Sequence, residues 1–139
     1  MRVKGLNGRE YNLNLQKYNS NDRVKKSFYH ICASDIIREV FCGYNVYEEV
    51  KLPGSTKKYK RSVLFLDFFI PNARIGVEVH GQQHFKFIPF FHKSRAGFAK
   101  SKARDRDKQE WCDVNEIELV VLRFDEAPDY WRSKLELAR

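Results

Sequence analysis

The chain has 139 residues, 42% apolar and 14% aromatic, with 26 Lys and Arg against 18 Asp and Glu for a formal charge of +8. That composition excludes a disordered or low-complexity chain and suits one domain with a single core. The basic excess points to a polyanionic partner, most often nucleic acid, although a basic soluble domain without such a partner has the same totals.

In chain order, Asn7-Gly8 sits between short alternating runs, a hairpin signal. These first residues lack the apolar stretch of a signal peptide, and no run approaches the ~18 apolar residues of a membrane helix, so a cytoplasmic protein off the membrane is expected. Residues 1–22 read as an N-terminal hairpin or arm and 23–139 as the main domain. Arg23 to Phe41 predicts a helix and YNVYEEVKL a strand; LPGSTKKYKRS is a solvated loop. LFLDFFIPNARIGVEVHGQQHF, residues 64–85, gives two strands around a short turn. KFIPFFHKS is an aromatic loop broken by Pro89, and Arg95 to Glu116 a long charged helix. IELVVLRF is a buried strand, and PDYWRSKLELAR closes the chain as a helix. Helix, three strands, helix, strand, helix predicts a single-domain α/β fold, a three-layer α/β/α sandwich around a mixed central sheet. Cys32, Cys42 and Cys112 have no CxxC spacing, so reduced thiols are expected rather than a disulfide framework or a zinc cluster.

The stretch 64–85 should be the easiest to bury, yet it carries Asp67 in one strand and Glu78 and His80 in the next. Alternation puts Glu78 and His80 on one face of IGVEVH. A turn centred on Asn72-Ala73, with two or four loop residues, sets Asp67 opposite Glu78 in either case. Facing carboxylates in half-buried strands repel, and a hard divalent cation offsets that with one or two carboxylates and otherwise water and phosphate oxygens. The alternatives are an arginine paired with one acid, or a different register. On the first helix, Val24, Phe28, Cys32, Asp35 and Glu39 share a stripe, while Ile36, Ile37 and Val40 offer another apolar face that leaves Glu39 solvated. On the second, Phe98, Asp105 and Cys112 recur every seven residues. His30 and His92 read as ordinary surface histidines.

Asp67, then Glu78-Val79-His80, within this order of elements, resembles the PD-(D/E)xK nuclease superfamily, with His80 at the usual lysine position. EVHGQQHF, KSKARDRDKQEWC and IELVVLRF resemble more closely the branch of very short patch repair endonucleases and free-standing phage homing endonucleases, whose signature is abbreviated EDxHD. The resemblance spans roughly residues 23 to 124. It implies a restriction-endonuclease-like fold and a metal-dependent DNA endonuclease, phage-encoded and acting in the host cytoplasm as monomer or homodimer. Glu39 would be the first-helix acid, Asp67 the strand aspartate, Glu78 the tolerant position, His84 the histidine and Asp105 the second-helix acid.

Phosphodiester hydrolysis needs activated water, charge neutralisation and a proton for the leaving oxygen. Asp67 and Glu78 are the expected ligands for Mg²⁺ or Mn²⁺, with His84 as general base and His80 as acid or phosphate contact, although either histidine fits the base. Gln82 and Gln83 orient water or phosphate, and Glu39 and Asp105 support the metal or a histidine. Phosphate contacts are expected from Lys57, Lys58, Lys60 and Arg61 in the loop. Lys93, Arg95, Lys100, Lys102, Arg104, Arg106 and Lys108, along the long helix, are expected to do the same. Phe85, Phe87, Phe90 and Phe91 belong to the core or stack on bases. A non-catalytic nucleic-acid-binding module and a branched-DNA resolvase are the competing functions.

Overall fold

The computed structural model describes residues 1–18, 27–56, 63–82, 88, 92 and 94–139. Asn7-Gly8 does close a hairpin: β1 (Arg2–Lys4) pairs antiparallel with β2 (Glu10–Asn12). Gly8 takes φ 81°, and Asn7 Oδ1 accepts the Arg9 N–H at 3.0 Å. The hairpin is no loose arm. Val3 and Leu13 are buried, and the carboxamide of Asn115 exchanges hydrogen bonds with the Lys4 backbone at 2.7 and 2.9 Å. Gly5 and Gly54 also meet so closely that a Cβ on Gly54 would lie 2.7 Å from the Gly5 Cα. The boundary drawn at residue 22 falls outside the described residues.

Helix α1 (Phe28–Val40) begins at Ser27, whose hydroxyl accepts the His30 N–H. It leads into β3 (Tyr47–Leu52), β4 (Leu64–Ile70) and β5 (Ile75–His80); then come α2 (Arg95–Val114), β6 (Glu118–Arg123) and α3 (Pro128–Ala138). Among the described residues the main sheet has four strands in the order β3-β4-β5-β6, antiparallel except for the parallel β5–β6 pair. The fold is therefore mixed α/β, as expected from the order of elements. No helix of the described residues is long and apolar enough to cross a membrane.

Two apolar clusters flank the sheet. One joins Ile37 and Val40 of α1 and Trp131 and Leu135 of α3 to Phe68, Ile70, Val77 and Leu122. The other joins Trp111 and Cys112 of α2 and the hairpin's Val3 and Leu13 to Val50, Leu52, Leu66 and Phe69. Unbroken alternation would send Leu66, Phe68 and Ile70 to one face. Instead Leu66 faces α2 while Phe68 and Ile70 face α1, so the pleat slips at Asp67. Glu49, between the residues that pair with Phe68 and Leu66, takes φ 50°. The slip is shared by both strands and lies at the site described below.

The buried face of α1 is His30, Ala33, Ser34, Ile36, Ile37 and Val40. The stripe ending in Asp35 and Glu39 looks outward: Phe28 is 74% exposed, and Glu39 pairs with Arg132 of α3. His30 corrects the surface reading. It is buried, stacks on Phe68 with ring centroids 4.5 Å apart, and meets Glu48 Oε1 at 2.6 Å. Arg38 Nη2 donates to the other Glu48 oxygen at 2.6 Å. Burial pushes the Glu48 carboxyl up, but the bonds and charges of His30 and Arg38 outweigh it and hold it below the ordinary range. The stability it contributes is complete above the ordinary carboxylate pKa and is lost as pH falls through the lowered one. Glu48→Gln, which leaves Arg38 and His30 facing a neutral amide, is expected to cost about 2 kcal/mol in urea unfolding near neutral pH.

Candidate active site

The turn between β4 and β5 is a 3-10 turn over Pro71–Ala73 with Arg74 in the left-handed region at φ 53°, and the first pair beyond it is Ile70 with Ile75. This is the four-residue form of the two loops expected, and the register, continued one pair past Phe68–Val77, sets Asp67 opposite Glu78. The ladder proceeds through Phe69–Gly76 and Phe68–Val77. At the acids, side chains take over. Glu78 Oε2 accepts the Asp67 backbone N–H at 2.8 Å, and Asp67 Oδ2 accepts the Val79 N–H at 2.8 Å. Each carboxylate reaches across to the opposite strand's backbone, so the two meet in the gap between strands.

Glu78 is 2% exposed. Burial, the charge of Glu78 and a hydrogen bond with it raise the Asp67 pKa to about 7, although the Val79 N–H and Lys108 pull the other way.

Lys108, from the middle of α2, places its ammonium on Glu78 Oε1. Burial pushes the Lys108 pKa down, but Glu78, Asp67 and Asp105 overcome it and the ammonium stays charged. An arginine paired with one acid was an alternative drawn from sequence; the residue found on Glu78 is a lysine instead. Lys108, expected among the phosphate contacts, is engaged with Glu78 and only 16% exposed. Its role had no local signal, because 30 residues separate it from Glu78.

The structure brings His80 and Asp105 to the same place. His80 Nε2 lies 4.0 Å from Glu78 Oε1. Both line a cleft of about 290 Å³ with Glu78, Lys102, Arg106 and Lys108. Glu78 and His80 share a face, as alternation predicts, and the Asp105–Cys112 stripe points inward. Glu39 is not brought in: it lies with α1 and α3, across the sheet. Gln82 is exposed just past β5. Gln83, His84, Lys57, Lys58, Lys60, Arg61 and Lys93, and Phe85, Phe87, Phe90 and Phe91, lie outside the described residues. His92 is half-buried, not a free surface residue. Its Nδ1 accepts the Ile88 N–H at 3.0 Å, and its ring is edge-on to Phe98. Arg95, Lys100, Arg104 and Arg106 are exposed along α2.

Among the described residues no group of three or more His, Cys, Asp and Glu is gathered closely enough to cage a metal. What the gap offers is two carboxylates held against each other. That donor set fits a hard divalent cation, which takes one or two carboxylates and keeps its other positions for water and phosphate.

No family model matches the chain, and no solved structure does. Two viral proteins are similar to it. One, Uncharacterized protein 307L of Invertebrate iridescent virus 6, is 34% identical over 89 residues, 63% of this chain and 45% of that protein. The other, Uncharacterized protein 033L of Invertebrate iridescent virus 3, is 35% identical over 61 residues, 44% of this chain and 31% of that protein. The chain thus spans less than half the length of the relatives it matches.

Proposed function

We propose that the chain is a metal-dependent DNA endonuclease of the PD-(D/E)xK type, its helices and hairpin flanking the sheet as an α/β/α sandwich. One observation carries the reading: two carboxylates, Asp67 and Glu78, are held against each other where the β-ladder breaks, at a cost that Lys108 offsets in part and a bound cation would offset further. Asp67 and Glu78 would hold Mg²⁺ or Mn²⁺. Bound there, the ion supplies Lewis-acid stabilisation of the phosphate and a water of lowered pKa.

The chain's own residues do the rest. Lys108 pairs with Glu78 and brings to the gap the ammonium that position 80 lacks. His80, beside Glu78, is placed to hold a proton for the leaving oxygen or to contact phosphate. Asp105 adds to the field that keeps Lys108 charged. His84, with Gln82 and Gln83, follows β5 in sequence and is assigned the base. Arg95, Lys100, Lys102, Arg104 and Arg106 take the DNA backbone, together with Lys57, Lys58, Lys60, Arg61 and Lys93 of the neighbouring segments.

The non-catalytic alternative gains from one observation: with Lys108 on Glu78, part of the pair's charge is neutralised without any metal. Plasmid assays separate the two. Supercoiled DNA is expected to be nicked or linearised in millimolar Mg²⁺ and left intact in EDTA. Retained DNA binding with no cutting in Mg²⁺ or Mn²⁺ would establish the binding module instead. A four-way junction cut in preference to linear duplex would mark a resolvase.

A further inference from the structure

A second basic feature lies away from the acid pair. The N-terminal hairpin and the 3-10 turn Gln16–Tyr18 flank the exit of β3, leaving a groove of about 610 Å³. Arg9, Lys17 and Lys51 line it and are exposed, and no carboxylate is among its described lining residues. Tyr11 and Tyr18 form its aromatic part. Tyr11 is fixed: a Cβ on either Gly5 or Gly54 would press on its ring, and its hydroxyl accepts the Asn7 amide at 2.8 Å. Lys17 stands over the Tyr18 ring, 5.2 Å from its centroid. The carboxamide oxygens of Asn7 and Asn14 accept backbone N–H groups of Arg9 and Gln16, which fixes those amides as well. Thr56 and Val63, where the KKYKRS segment leaves and rejoins the described chain, both line the groove.

We infer that this groove binds a single strand of DNA. Cations without a nearby carboxylate suit phosphates, and pinned aromatic rings suit base stacking. The groove's volume of about 610 Å³ suits one or two nucleotides lying within it, with their bases against the rings. The inference takes from the proposed function only the class of polymer and needs nothing from the acid pair. On a cleavage substrate, the groove would grip an unpaired strand while the cleft beside β5 meets the scissile phosphate.

The test is fluorescence anisotropy with a labelled oligothymidylate of about 12 nucleotides, within the usual site size of such surfaces. The triple variant Arg9→Ala, Lys17→Ala, Lys51→Ala removes only exposed side chains. It is expected to weaken binding at least 30-fold and to flatten the log–log salt slope by about 2, three phosphate contacts' worth. Tyr18→Ala should weaken it by about 5-fold or more. The triple variant Lys100→Ala, Arg104→Ala, Arg106→Ala on α2 should lose duplex, and its loss of the oligonucleotide should be smaller than the groove triple's; an equal or larger loss overturns the inference. Parent-like oligonucleotide binding by the groove triple overturns the inference, as does displacement of the oligonucleotide by oligoglutamate at equal concentration. If the parent never cuts plasmid but the groove triple still loses the single strand, the nuclease reading fails and the groove stands.

Discussion

Asp67→Asn is expected to abolish plasmid cutting and, in the same protein, to raise the melting temperature. Activity should fall at least about 10²-fold, the scale for removing one electrostatic contact to a reacting group. The stability gain follows from linkage. A carboxyl raised to about 7 in the fold, against an ordinary 3.8, binds its proton more tightly folded than unfolded. Stability therefore falls as pH rises from about 4 to about 7, and above 7 the full loss is present, with an upper bound of about 4 kcal/mol. Asparagine removes the titration and keeps the geometry: its oxygen still accepts the Val79 N–H, and its amide donates to Glu78. Near pH 8 in EDTA the variant should melt about 5–10 °C above the parent, and the two should converge toward pH 5. Adding Mg²⁺ should raise the parent's melting temperature and leave the variant's unchanged, since binding to the folded state alone stabilises it. A parent whose melting temperature is flat across this pH range, with no gain in the variant, would mean that the acids are not coupled.

The sequence carried the local half of this site. A proline-led turn with a four-residue loop fixes the register, and period-two alternation fixes the shared face of Glu78 and His80. Neither rule foresees the slip at Asp67 and Glu49. A positive φ at a non-glycine residue has no compositional mark, yet that slip lets the carboxylates bond to backbone across the gap. The choice of face on α1 was ambiguous for a different reason. Its buried stripe contains His30 and Ser34, which look unsuited to a core until Glu48 arrives from β3 to pair with His30. Glu39 shared a stripe with Phe28 and Cys32, but packing against α3 gives the core to Ile36, Ile37 and Val40 instead. Contacts between elements distant in sequence decided both outcomes, and periodicity within one helix holds no record of them.

Lys108 shows that dependence most sharply and supplies the second large effect. Read locally, it is one more cation on a basic helix, equivalent to Arg104 or Arg106. In the fold its ammonium lies on a carboxylate that is 2% exposed. Removing one member of a buried pair strands the other, at about 3–5 kcal/mol. Lys108→Met should therefore lower the melting temperature by about 10 °C near neutral pH, while Arg106→Ala shifts stability by less than about 0.5 kcal/mol. A double-mutant cycle locates the effect: Glu78→Gln, Lys108→Met should recover most of the stability, with a coupling of at least about 2 kcal/mol. On the proposed function, cutting should fall about 10²-fold in Lys108→Met, because the ammonium that pairs with Glu78 would also answer charge on the phosphate. If Lys108→Met melts with the parent and the cycle is additive, Lys108 is a surface cation after all. The acid pair would then need another source of positive charge.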